Sequence, residues 1–184
     1  MRSVKGVPAT VTPVADHSIT LARLPEVGID AVTALLSEPR NARHMPLARE
    51  PFTTEAATQW VTDKDWQWQQ NGFGPWAILV DDEFAGWGGF QAERDGADFA
   101  LVLDPRYWGQ GQAIARIALN YGFSLFGFDS VTIALPYSRT PGRVVARWGF
   151  RPDGEISHGG SRFRQYRLDR KAWAQRRSRR DEPA

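Results

Sequence analysis

The most constraining segment of the chain is a short apolar run, Phe99 to Leu103. It passes through Asp104-Pro105-Arg106-Tyr107-Trp108-Gly109-Gln110-Gly111-Gln112-Ala113 into an amphipathic helical pattern. In that pattern Ile114, Ile117, Ala118, Tyr121 and Leu125 recur at the spacing of one helix face. Strand, glycine turn and helix in immediate succession gather unpaired main-chain N–H groups and the positive end of a helix dipole at one point. Glycine lets a ligand approach the backbone closely. The turn therefore suits a phosphate or pyrophosphate, although a Gly-x-Gly of this kind also serves as a tight packing turn. No Lys-Ser/Thr follows the glycines, which excludes a P-loop. No third glycine stands at dinucleotide-fold spacing with an acidic ribose partner.

A chain of 184 residues is expected to form one domain with a core that needs no staples. Its 42% hydrophobic and 24% charged content is ordinary for a globular protein. With 0 cysteines, disulfides and thiolate zinc sites are excluded, and His17, His44 and His158 show no ligand spacing, so no metal is expected. No apolar h-region opens the chain, and no apolar run nears ~20 residues, so the cytoplasm is expected rather than export or a membrane span. Residues 169–184 hold six basic side chains against three acidic ones; of the net +2 the tail takes +3 and the body −1. That distribution is not a nucleic-acid-binding face, and the tail reads as a solvated end. A homodimer is admitted by the composition but not required by it.

Ser18 to Leu24 reads as a strand and Val27 to Ser37 as a helix stopped before Pro39, with Arg40 to Pro51 a polar loop. Thr53 caps a helix that ends near Asn71-Gly72. Trp76–Val80 and Phe84–Gln91 form a hairpin across Asp81-Asp82-Glu83, where Gly86, Gly88 and Gly89 signal a bulge or a close neighbour. Asp98–Leu103 is the next strand, its helix running to about Gly127. Ser130–Leu135 is another strand, then a helix capped by Thr140 with Pro141 at its first position runs to Gly149, and Gly154–His158 with Arg162–Leu168 make a final hairpin. Trp60, Trp66, Trp68, Trp76 and Trp87 are expected mostly in packing.

Arg106-Tyr107-Trp108-Gly109-Gln110-Gly111 resembles the (Gln/Arg)-x-x-Gly-x-(Gly/Ala) signature of the GNAT superfamily of N-acetyltransferases. The longer run from Asp98 through Leu103-Asp104-Pro105 to Gly111 is similar to the branch that acetylates N-terminal amines of ribosomal proteins. The resemblance covers about residues 17–170, including Arg143 through Trp148-Gly149-Phe150. It implies one α/β domain over 17–170, after an extension of residues 1–16 and before a basic tail of residues 171–184. Its mixed, mostly antiparallel sheet would have six to seven strands, with the strands around 98–103 and 130–135 splayed apart, flanked by about four helices.

The resemblance implies acetyl-CoA as co-substrate and a primary amine as acceptor. Leu101, Val102 and Leu103 would offer main-chain groups to pantetheine. Arg106 and Trp108, Gly109, Gln110, Gly111, Gln112 and Ala113 would hold the pyrophosphate, with Ser138 and Arg143 as further contacts. Asp98 is the candidate base, standing where that branch usually has a glutamate; a solvated strand-end aspartate is the plainer reading. The family's usual tyrosine donor is replaced by an apolar position near Val145, which leaves Tyr137 and Ser138 as candidate proton donors. Arg43, His44 and Met45 are expected to border the acceptor groove. The acceptor stays open between a protein N-terminus and a small amine such as an aminoglycoside or polyamine, and a catalytically weak acyl-CoA-binding module is a further alternative.

Overall fold

The structure, a computed structural model, describes residues 10–14, 16–45, 52–93, 96–139 and 143–181. Its strands are β1 (Thr10–Val14), β2 (His17–Ala22), β3 (Pro75–Val80), β4 (Glu83–Glu93), β5 (Gly96–Leu103), β6 (Ser130–Pro136), β7 (Arg151–His158) and β8 (Ser161–Asp169). They form one 8-stranded sheet in the order β1-β2-β3-β4-β5-β6-β8-β7, antiparallel throughout except between β5 and β6. The helices among the described residues are α1 (Ile29–Leu36), α2 (Pro39–Ala42), α3 (Thr54–Asn71), α4 (Gly111–Asn120), α5 (Arg143–Trp148) and α6 (Arg170–Asp181).

This is the α/β architecture expected, with corrections that have local causes. The expected six to seven strands become eight because β1 pairs with β2 from Thr10↔Leu21 to Val14↔His17, inside the stretch expected to precede the domain. Pro13 is tolerated there because β1 is an edge strand. The four expected helices become six. Pro39, taken as a stop, opens α2 at its first turn, where Glu38 accepts from the Arg40 amide at 3.1 Å. The tail, expected as a solvated end, forms α6: Trp173 is buried, stacks on Phe123, and donates to Asn120 Oδ1 at 3.2 Å.

Other local signals lead where they pointed. Thr53 Oγ1 accepts from the Ala56 amide at 3.2 Å, and Gly72 closes α3 at φ 75°. Asp81 and Asp82 both have positive φ, as a two-residue hairpin turn demands. Opposite Ile78 and Leu79 the β3–β4 register slips by a bulge. There a Cβ on Gly86 would collide with the carbonyl oxygen of Val102. α4 stops short of the expected Gly127, giving way to a π turn at Tyr121–Leu125 that leaves Leu125 58% exposed. Trp66 is 54% exposed on α3 rather than packed.

Side-chain alternation gives the sheet two apolar faces. On one, Leu21, Ile78, Phe90, Phe99 and Leu103 pack on Ile114 and Ile117 of α4 and Trp173 of α6. On the other, Ala22, Ala77 and Trp87 pack on Val32 and Leu35 of α1 and Val61 of α3. Burying an aromatic or aliphatic side chain of this kind contributes about 1.5–3 kcal/mol. β4 holds β5 along its whole length and β8 holds β6 likewise, but β5 and β6 meet only at Ala97↔Val131 and Asp98↔Thr132. Beyond that rung the two halves of the sheet part.

Candidate active site

Alternation along β5 decides which main-chain groups face the gap. The Ala97 carbonyl faces β6, where Thr132 Oγ1 lies 3.4 Å away. The carbonyls of Ala100 and Val102 face β4, where they crowd Gly88 and Gly86. With a period of two, Phe99, Leu101 and Leu103 turn their N–H and C=O into the gap. Val102, expected beside Leu101 and Leu103, turns its carbonyl to β4 instead, and Phe99 is the further residue whose main chain faces the gap. The Leu103 carbonyl is already engaged, accepting from Asn41 Nδ2 and from Trp108 Nε1, both at 3.1 Å. Trp108 thus straps the end of β5, while Asn41 is only 8% exposed and reaches it from α2.

The glycine bend is a 3₁₀ turn, Pro105–Gln110, that runs into α4. Asp104 caps the turn, accepting from the Arg106 amide at 2.9 Å, and its carbonyl accepts from the Tyr107 amide at 2.8 Å. The Gly111 amide is used by the Trp108 carbonyl. Arg106 itself pairs with Asp104 at 3.0 Å and lies over the Tyr107 ring, whose hydroxyl donates to Glu83 at 2.7 Å. Arg106 therefore faces the tip of the β3–β4 hairpin, not the gap. What stays open is the start of α4. Its N-cap Gln110 makes no side-chain cap, and nothing lies within 4 Å of where a Cβ on Gly109 would sit. Gln112 and Ala113 stand in the first turn of α4, which continues directly from that 3₁₀ turn.

From that open end a groove of about 1680 Å³ runs between α4, α5 and α6. Arg116, Arg147, Arg151, Lys171 and Arg176 line it with Gly109, Gln112 and Ala113; Asp169, paired with Arg151, is the one carboxylate among the described lining residues. Its chemistry suits phosphates. Arg143 begins α5, but its side chain lies outside the described residues, as do Thr140 and Pro141.

Asp98 sits at the closed end of the gap, its side chain on the sheet face that carries Ala100, Val102 and α3. Burial pushes its carboxyl up to about 7, against a Thr132 hydroxyl bond at 3.2 Å that favours the charged form; Glu93 raises it further and Lys64 opposes. Lys64 is itself sheltered, donating to Gln91 and lying over the rings of Trp60 and Trp87, and burial lowers its pKa. The indole N–H of buried Trp87 has no partner.

The two candidate donors after β6 point to different places. Tyr137 donates to Glu155 on β7, and the guanidinium groups of Arg162 and Arg164 lie over its ring. These contacts engage it with the β7–β8 hairpin. Ser138 Oγ lies 3.2 Å from His44 Nδ1, and His44 Nε2 accepts from Arg43 Nε at 3.1 Å. Partial burial, Arg139 and Arg43 together hold the His44 pKa below its ordinary value. Sequence reasoning missed Asn41, Phe99, Thr132 and Lys64, for which the chain gives no local signal. Among the described residues no three His, Asp or Glu side chains form a metal-binding group, and no helix is long and apolar enough to cross a membrane.

The family model described as Acetyltransferase (GNAT) domain matches residues 19–151. No curated protein is significantly similar. Solved structures share the fold. An acetyltransferase of the GNAT family from Bacillus anthracis is 18% identical, with 88% of this chain and 99% of that one covered at a TM-score of 0.66. An acetyltransferase from Agrobacterium tumefaciens is 17% identical, with 86% and 94% covered at 0.68. Spermidine N-acetyltransferase from Vibrio cholerae, in complex with CoA and spermine, is 12% identical, with 85% and 98% covered at 0.67.

Proposed function

We propose, because this chain belongs to the GNAT family of acetyltransferases, that it moves an acetyl group from acetyl-CoA onto a primary amine by direct attack on the thioester, and that the amine is a protein or peptide N-terminus. The gap between β5 and β6 carries this reading, with a sheltered carboxyl at its closed end and an open helix start at its mouth. The diphosphate of acetyl-CoA is held by the Gln112 and Ala113 amides and the α4 dipole, where Gly109 leaves open space beside the backbone. Arg116 and Arg147 lie along the groove for the remaining phosphate. The pantetheine arm bonds to the main chain of Phe99 and Leu101. An N–H of that strand faces the thioester oxygen as its charge develops.

Asp98 takes the amine proton, directly or through one water. A carboxyl of pKa about 7 is a modest base, half ionised at neutral pH. At pH ~7.4 an α-amine of pKa ~7.8 is roughly 30% neutral, whereas a lysine of pKa ~10.4 is about 0.1% neutral. A base of this strength serves the first acceptor far better than the second. The departing thiolate meets the Ser138 hydroxyl.

The test is release of free CoA thiol from acetyl-CoA in the presence of peptides with free Ala or Ser N-termini, Nα-blocked lysine peptides, spermidine and an aminoglycoside. Turnover is expected with the free N-termini. Turnover with spermidine or the aminoglycoside alone moves the acceptor to small amines. Binding of acetyl-CoA with no turnover on any of them leaves an acyl-CoA-binding module.

A further inference from the structure

The two edges of the gap are joined by one short piece of chain. Asn41 of α2 donates to the Leu103 carbonyl at the end of β5, and His44, three residues on, reaches Ser138 in the turn after β6. These contacts span 62 and 94 positions of sequence, and they set the ring of His44 against a hydroxyl in the turn that follows β6.

The bonding fixes the tautomer of that ring. A guanidinium only donates, so the Arg43 Nε–H on His44 Nε2 requires a lone pair there. The neutral ring then carries its proton on Nδ1 and donates it to Ser138 Oγ. Among the described residues, Arg43 from the same turn and Arg139 from the turn after β6 are the charged groups facing the ring, and both favour the neutral form. With its oxygen accepting from His44, Ser138 has its own hydrogen left to donate elsewhere.

We propose that His44 is a positioning residue: it locks the Ser138 hydroxyl so that the O–H points into the gap, toward the sulfur that leaves as thiolate. This rests on the reading of Ser138 as the partner of that thiolate. No proton need be transferred. A serine hydroxyl is far less acidic than a thiol of pKa ~8.5, so it stabilises the sulfur anion as a hydrogen-bond donor while the amine proton leaves through Asp98. A free hydroxyl rotor would spread its hydrogen over several directions; a fixed donor costs no reorganisation as charge develops.

The experiment measures kcat and the KM for acetyl-CoA in Ser138→Ala, His44→Ala, His44→Gln, His44→Phe and the Ser138→Ala/His44→Ala double variant, with melting temperatures as a check on folding. Ser138→Ala and His44→Ala are each expected to lower kcat about tenfold or more with KM little changed, as for loss of an interaction made only in the transition state. His44→Gln, whose amide N–H can donate to Ser138 Oγ, should recover much of the rate, and His44→Phe none of it. The double variant should be no slower than Ser138→Ala alone. Full activity in His44→Phe, or losses that multiply in the double variant, overturns the positioning role while Ser138 keeps its own. Unchanged kcat in Ser138→Ala instead removes the thiolate partner, and the positioning role with it.

Discussion

Asp98 and Thr132 form the last rung between β5 and β6, and the Thr132 hydroxyl donates to Asp98 Oδ1 at 3.2 Å. Two effects oppose each other on that carboxyl. Burial disfavours its charge and the hydroxyl bond favours it; burial wins, leaving the group at about 7. Thr132→Val keeps the shape of the rung and removes the donor, so the carboxyl should titrate higher still. The acid limb of kcat/KM should then move up by about one pH unit, the worth of one hydrogen bond to a charged group. A limb that stays in place detaches Asp98 from the chemistry.

Asp98→Asn removes the base. The kcat at neutral pH should fall about 100-fold, with the KM for acetyl-CoA within about twofold and partial recovery at higher pH, where more of the amine is already neutral. Stability should move the other way. The folded carboxyl titrates near 7 against an ordinary 3.8, so the folded state holds an extra proton between those values and loses stability as pH rises through them. Asparagine carries no charge. The variant should therefore melt higher than the parent at pH 8 and nearly level with it at pH 4; equal shifts at both would rule out the buried charge as the cause.

Arg116→Glu with Arg147→Glu reverses charge along the groove that leaves the start of α4. The KM for acetyl-CoA should rise about tenfold, equivalent to about 1.4 kcal/mol, and the penalty should shrink in high salt. A KM that ignores the reversal would place the phosphates elsewhere.

Trp173→Ala should cost about 3–5 kcal/mol in denaturant unfolding, because it empties a buried site and leaves Asn120 Oδ1 without its donor. A loss under about 1 kcal/mol would mean that α6 rests on the sheet without being part of its core.

Local chemistry made much of this fold legible. The run from Phe99 to Ile114 reads as strand, bend and helix because apolar spacing, proline and glycine act over a few residues. Thr53, Gly72 and the Asp81-Asp82 turn are equally local. Pro39 misled because a proline opens a helix as readily as it stops one. Which β5 residues face the gap depends on how β4 pairs, so Val102 could not be told from Phe99 in advance. Arg106 matched its motif by type, and its pairing with its neighbour Asp104 is a contact that the motif does not announce. Nothing along the chain links His44 to Ser138, 94 positions apart, or Asn41 to Leu103, 62 apart.

On this reading acetyl-CoA lies with its diphosphate at the start of α4 and its thioester between β5 and β6. A crystal structure with acetyl-CoA tests it most directly. Diphosphate oxygens within hydrogen-bond distance of the Gln112 and Ala113 amides, and a pantetheine arm paired with the main chain of Leu101, are the predicted result. A bound acetyl-CoA that leaves that helix start bare, or whose acyl end lies outside the gap, would contradict the account.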